Sequence, residues 1–129
     1  MVQFPSLVVF YLLMEMMWIS TMTPILYKDV FSSIQKSPIH FNAYYAICAY
    51  ILLLVTIKYI CIPLSKTKIP GTSRSYEWMA FSLVGLIIYG IYNTTNGAVF
   101  KTYPLQMCII DTLWGVSIFS ILGLLHSEF

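Results

Sequence analysis

The chain has 129 residues, of which 59% are apolar, 16% aromatic and only 9% charged, with a formal net charge of +2. A soluble domain carries about a quarter charged residues, so this balance excludes one, and four spans of about 20 residues would leave only short connections and no separate soluble domain. The basic residues are scattered without a run, which excludes a nucleic-acid surface and leaves anionic headgroups as their counter-charge.

Span one is expected at about residues 5–24, from Pro5 to Pro24, interrupted only by Glu15 and ended by the charged, turn-prone Tyr27-Lys28-Asp29. Its start lacks the basic n-region and small-residue cleavage site of a signal peptide, so the run reads as a retained first span. A loop then reaches Pro38. Span two is expected at about 40–62, His40 to Ile62, with Lys58 in snorkelling distance of its end and Pro63 closing it. Ser65 to Glu77 carries Lys66, Lys68, Pro70-Gly71 and Arg74, the composition of an exposed connection. Span three follows at about 78–100, Lys101-Thr102-Tyr103-Pro104 makes a tight return, and span four occupies about 105–125. Tyr27, Tyr59, Tyr76, Trp78 and Tyr103 fall near the expected ends and read as interfacial belt residues. The unit so defined is a single four-span membrane domain, residues 1–129, and its fold class is an all-α integral membrane four-helix bundle.

An even number of spans places both termini on one side, together with the connection between spans two and three. Basic residues there are Lys66, Lys68 and Arg74, with Lys58 nearby, against Lys28, Lys36 and Lys101 opposite, a narrow balance toward cytoplasmic termini. Cys48, Cys61 and Cys108 lie in apolar stretches with no C-x-x-C pair and no nearby histidine, so they read as small apolar helix residues, and neither metal nor cofactor is expected. Asn93-Thr94-Thr95 matches the N-x-T glycosylation pattern, but its place within a span makes the match a coincidence.

Polar residues inside the apolar runs are the informative exceptions, because each buried amide or carboxylate in lipid costs kilocalories unless it finds a partner. Tyr89, Tyr92, Asn93 and Asn96 recur at i, i+3, i+4 and i+7 and share one face of span three, with Thr95 beside them. Asp111, Trp114 and Gly115 share a face of span four, and Glu15 with Trp18 repeats the acid-x-x-Trp spacing in span one. A rise of ~1.5 Å per residue puts Asp111 roughly 9 Å into span four, Asn93 and Asn96 about 6–11 Å from the end of span three, and Glu15 near the middle of span one. All can therefore meet in the half of the bilayer away from the termini. Gly97 and Gly115 are expected to let backbones approach closely there.

Insertion energetics bear on Glu15. A central carboxylate costs about 2.5–3.5 kcal/mol, while Leu, Ile, Val and Phe each return about 0.3–0.6 kcal/mol, so the apolar residues of span one roughly cancel it. Glu15 is then either held neutral or accepts hydrogen bonds from tyrosine, asparagine or tryptophan donors on neighbouring spans, and both place it in the bundle interior.

The motifs Tyr89-Gly90-x-Tyr92-x-x-Thr95-Asn96, then Pro104, then Asp111-x-x-Trp114-Gly115 resemble a family of short four-span predicted membrane proteins of unknown function (domain of unknown function 2177) found in bacteria, algae and some large DNA viruses. The Glu15-to-Trp18 spacing resembles its N-terminal signature. The resemblance implies the fold and the placement of the motifs but supplies no activity. The family usually carries an acid where Asn93 stands and an aspartate where Glu15 stands, so an acid-dependent role at position 93 does not transfer.

Three function classes follow. The preferred one is a non-enzymatic structural or assembly protein in which the cluster is interhelical glue; a viral member of the family would sit in the internal membrane of a virion and hold lipid to a capsid or membrane protein partner. The alternative is a small transporter or channel-like protein that binds a proton, cation or polar solute at Glu15 and Asp111, with a homo-oligomer needed to form a channel. An intramembrane enzyme ranks third: two carboxylates can do acid and base work, but no nucleophile with an adjacent base is visible, and His40 and His126 lie at span ends.

Overall fold

The computed structural model describes residues 2–128, so Met1 and Phe129, the two ends of the expected 1–129 unit, lie outside the described residues. Its secondary structure is helical: α1 (Phe4–Met22) and α2 (Lys28–Gln35), α3 (Ala43–Thr56) and α4 (Ile62–Ser65), α5 (Trp78–Val99), and α6 (Leu105–Glu128). Wider π turns at Thr23–Tyr27 and Ile57–Cys61 join the first two pairs into continuous rods. Four stretches are thereby long and apolar enough to cross a membrane: Phe4–Gln35, Ala43–Ser65, Trp78–Val99 and Leu105–Ser127. The all-α four-span architecture expected from composition is the architecture observed.

The first rod departs from expectation at Pro24. Proline lacks the N–H that would continue the ladder, and its ring crowds the carbonyl four residues back, here Ser20. The helix does not stop; it widens by one residue, and the Lys28 amide bonds to the Thr23 carbonyl five positions earlier. The loop expected from Tyr27 to Pro38 is therefore helical as far as Gln35, where Lys36 takes a left-handed conformation (φ 56°) and ends it. The extra residue turns everything beyond the π turn by about 100° relative to a regular α-helix. Tyr27 is placed by that rotation. At ~1.5 Å per residue the rod is roughly 48 Å long, more than the ~30 Å hydrocarbon layer, so its polar α2 end reaches beyond the acyl region.

The second rod begins at Ala43, three residues after His40, because the Asn42 side chain caps it by accepting from the amides of Tyr44 (3.0 Å) and Tyr45 (3.4 Å). The second π turn precedes Pro63 and accommodates that proline in the same way. Between α4 and α5 the expected exposed connection folds back on itself: Lys68 and Ser75 form an isolated antiparallel bridge, Ile69 donates to the Arg74 carbonyl at 2.9 Å, and Gly71 turns the chain with φ 79°.

α5 and α6 form a closely packed hairpin. Without a hydrophobic effect between helices in lipid, close approach depends on small residues that let atoms of the partner nearly touch the backbone. Gly85 and Gly123 provide it: a Cβ on Gly85 would lie 2.7 Å from the Gly115 carbonyl oxygen, and one on Gly123 would lie 2.8 Å from the Trp78 carbonyl oxygen. Gly97, expected to act this way, does not, since its nearest neighbour is the Cys108 sulfur at 3.6 Å. Ser82 and Ser120 add a 2.6 Å hydroxyl contact across the same interface.

The apolar core lies in the half of the bundle that holds the termini. Leu7 and Tyr11 of α1, Ile57 and Cys61 of the second π turn, Phe81 and Val84 of α5, and Ile118, Phe119 and Leu122 of α6 are buried together. The Val2 amide reaches the Leu125 carbonyl (3.3 Å), so the chain's two ends lie side by side, as an even number of spans requires. α3 packs little against the other helices; the second rod joins the bundle mainly through its C-terminal part. The N-terminal half of α3 consequently stands off from the other three spans and leaves a space between them.

Candidate functional site

The polar residues form a layer across the other half of the bundle, and its wiring begins with the two acid-x-x-Trp turns. On α1, Tyr11, Glu15 and Trp18 stand at i, i+4 and i+7; on α6, Asp111, Trp114 and Gly115 stand at i, i+3 and i+4, so each set shares one helical face. The two indoles stack face to face, with centroids 4.4 Å apart and planes 6° from parallel. Each then serves the acid of the opposite helix. Trp114 Nε1 donates to Glu15 Oε1 at 2.8 Å, while Trp18 Nε1 donates to the Tyr27 hydroxyl at 2.7 Å, which in turn donates to Asp111 Oδ1 at 2.5 Å.

Span three supplies the remaining donors. Tyr89 donates to Glu15 Oε1 at 3.0 Å and lies 3.3 Å from the Tyr11 hydroxyl. Asn93, completely buried, gives its Nδ2 to Asp111 Oδ2 at 2.6 Å and to the Tyr89 carbonyl at 2.8 Å, and its Oδ1 accepts from the Tyr103 hydroxyl at 2.6 Å. All these donors are neutral. Among the described residues no lysine or arginine hydrogen-bonds either carboxyl group, so each is held by neutral, oriented dipoles in a low-dielectric layer, where such bonds are stronger than in water. Tyr103 lies between spans three and four; burial pushes its phenol up to about 12, so at neutral pH it remains a donor.

The two acids differ in how they are held. Both Asp111 oxygens accept a short hydrogen bond. Glu15 accepts from Tyr89 and Trp114 on Oε1, and the Tyr50 hydroxyl of α3 also faces its carboxyl group. The one fully enclosed side-chain polar atom without a partner among the described residues is His126 Nδ1, while Glu15 borders an open space. That space is a cleft of about 820 Å³ between the first rod, α3, α5 and α6. Glu15, Asp111, Tyr89 and the two stacked tryptophans line one wall, and Ala49, Leu52 and Leu53 of α3 line the other.

Seven of the ten residues singled out in sequence meet in this layer: Glu15, Trp18, Tyr89, Asn93, Asp111, Trp114 and Gly115. Gly115 belongs for a steric reason, since a Cβ there would fall 2.1 Å from Tyr89 Cγ. Tyr92 lies at the cleft wall and is half exposed. Thr95 is exposed, and Asn96 is partly buried with its side chain beside the Tyr92 and Tyr103 hydroxyls. Seven positions after Tyr89, Asn96 keeps to the same helical line, whereas Thr95 turns away from it.

Tyr11, Tyr27 and Tyr103 join the layer as well. In sequence a belt position fits Tyr27 and Tyr103 equally well, while the i−4 spacing of Tyr11 from Glu15 is a usable signal. The complete burial of Asn93 removes it as a glycosylation acceptor. His126 is buried against Phe81, with ring centroids 5.8 Å apart, at the far end of α6, about 22 Å along the axis from Asp111.

Tyr27 is a useful probe of the wiring because its hydroxyl both accepts from Trp18 and donates to Asp111. Tyr27→Phe is expected to cost about 1–3 kcal/mol by leaving two buried groups short of a partner. Thermal unfolding in detergent measures this. An unchanged midpoint would mean that the Trp18–Tyr27–Asp111 chain does not form.

Comparison with curated proteins and with solved structures gives no match. The family model described as Predicted membrane protein (DUF2177) matches residues 1–127, essentially the whole chain. This protein belongs to that membrane protein family.

Proposed function

We propose that this chain is a single four-span, non-enzymatic membrane unit whose cleft binds a small ligand at Glu15, in the manner of a small carrier. One observation supports this above the others: Glu15, near the middle of span one, lines with Asp111 and the two stacked indoles a cleft of about 820 Å³. Glue alone has no use for a space of that size beside its carboxyl groups, since side chains that only hold helices together pack against one another. The volume also falls within the ~300–1,000 Å³ range of small-molecule sites.

In reconstituted vesicles, wild-type protein should conduct a proton, cation or small-solute flux that Glu15→Gln abolishes while remaining folded. Asp111→Asn should instead lose stability first. No flux, or a flux unchanged by Glu15→Gln, would refute the carrier reading.

A second reading has its own support in the Asp111 half of the network. Asp111, Asn93, Tyr103, Tyr27 and Trp18 satisfy one another in a closed chain, which suits a structural or assembly protein whose bundle must stay rigid. A virion internal membrane, with a capsid or membrane protein partner, is one such setting. Copurification with that partner is its test, and recovery of the protein alone from an ordinary cell membrane would count against it.

A further inference from the structure

The cleft's chemistry narrows the ligand, on the premise that the cleft binds one. Two carboxylates stand at its wall, and every group that hydrogen-bonds them is neutral. Lys58 is exposed, and its Nζ lies 5.5 Å from the Phe4 ring centroid and 5.3 Å from that of Tyr59. Phe4 is eleven positions before Glu15, roughly 16 Å along α1. Lys28, Lys36 and Lys101 are exposed. Among the described residues no lysine or arginine lines the cleft beside the two acids.

The walls around Glu15 are aromatic. The Trp18 and Trp114 indoles, the Tyr27 and Tyr89 phenols and the half-exposed Tyr92 all line the space, and indole and phenol faces attract an ammonium group, by ~2 kcal/mol or more where water is excluded. The opposite wall is mostly apolar: Ala49, Leu52 and Leu53 offer hydrocarbon, with Thr56 as the one hydroxyl among the α3 residues that line it. A ligand that satisfies both walls has a cationic head and an apolar body.

We propose that the cleft binds a cationic amphiphile, an alkylammonium whose head sits against Glu15 beside the stacked indoles and whose chain lies along α3. This rests on the carrier reading but is separable from it. The test titrates dodecylammonium, dodecanol and dodecyl sulfate into the protein in phosphatidylcholine nanodiscs, following tryptophan fluorescence and thermal unfolding. Dodecylammonium should give a saturable change at least tenfold tighter than dodecanol, and dodecyl sulfate none. Glu15→Gln should reduce the ammonium response to that of dodecanol. Ala49→Trp, which fills the cleft without touching any hydrogen bond of the network, should remove it in a protein that still folds.

Equal responses to the three probes, or an ammonium response that survives both substitutions, would overturn the proposal. A Glu15-dependent flux of some other solute, with no preference for dodecylammonium, would overturn the amphiphile and leave the carrier reading standing.

Discussion

Gly115→Ala is expected to destabilise the bundle by about 1–3 kcal/mol, the usual range for forcing one extra carbon into a packed interior. The new Cβ would fall 2.1 Å from Tyr89 Cγ, 2.2 Å from Cδ2 and 2.6 Å from Cβ. These atoms are the root of the side chain rather than its tip, so a change of rotamer gives little relief, and α5 and α6 must separate. Separation is opposed by Gly85 and Gly123, where the same two helices already touch through backbone. The damage should extend to Glu15, because Tyr89 is one of its donors. Two controls share the chemistry without the contact: Gly90→Ala, with nothing within 4 Å, and Gly97→Ala, 3.6 Å from Cys108 Sγ. Each should stay within about 0.5 kcal/mol of wild type. Unfolding midpoints in one detergent compare the three, and a Gly115→Ala protein as stable as its controls would contradict the packing described for Tyr89.

Asn93→Leu should have a comparable or larger effect for a different reason. The amide is the one side chain that both donates to Asp111 and accepts from Tyr103, at 2.6 Å on each side, and it is completely buried. Leucine fills a similar volume, so lost packing is minor and the cost is electrostatic. A buried group deprived of its partner costs about 1–3 kcal/mol. Adding Asp111→Leu to Asn93→Leu should recover part of the loss, since the unpaired carboxylate goes with its partner. A double-mutant cycle on stability reads this directly as a coupling between the positions. Strictly additive losses would mean that the two residues act independently, contrary to the 2.6 Å contact.

Both outcomes concern residues whose importance was visible in sequence while their partners were not. Asp111, Trp114 and Gly115 stand out because polar and small residues at helical spacing in an apolar run need an explanation. That Trp114 serves Glu15 and Trp18 serves Asp111 by way of Tyr27 could not be read, because Pro24 looks like the end of a span. One proline has two outcomes, a stop or a π turn, and neighbouring helices decide between them by re-satisfying the freed backbone groups. Tyr103 was hidden for a related reason: a tyrosine beside a tight return fits an interfacial belt equally well until the return folds it onto Asn93. Glycine was ambiguous too. Gly97 and Gly115 look alike in sequence, yet only the helix whose rotation brings Tyr89 over Gly115 makes one indispensable and the other ordinary.

Local composition and periodicity determined that this protein is all-helical, has four apolar stretches, and carries a polar layer in the half of the bundle away from its termini. Those properties follow from transfer free energy and from the 3.6-residue period, both of which act on neighbouring residues along the chain. The tertiary structure alone decided which donor meets which carboxylate oxygen, and that a cleft lies between the two acids and α3. Hydrogen bonds require placement to within a few tenths of an ångström. That placement depends on helix rotation and separation, set here by the π turn at Pro24 and by the glycine contacts between α5 and α6, none of which can be read from the residues that finally touch.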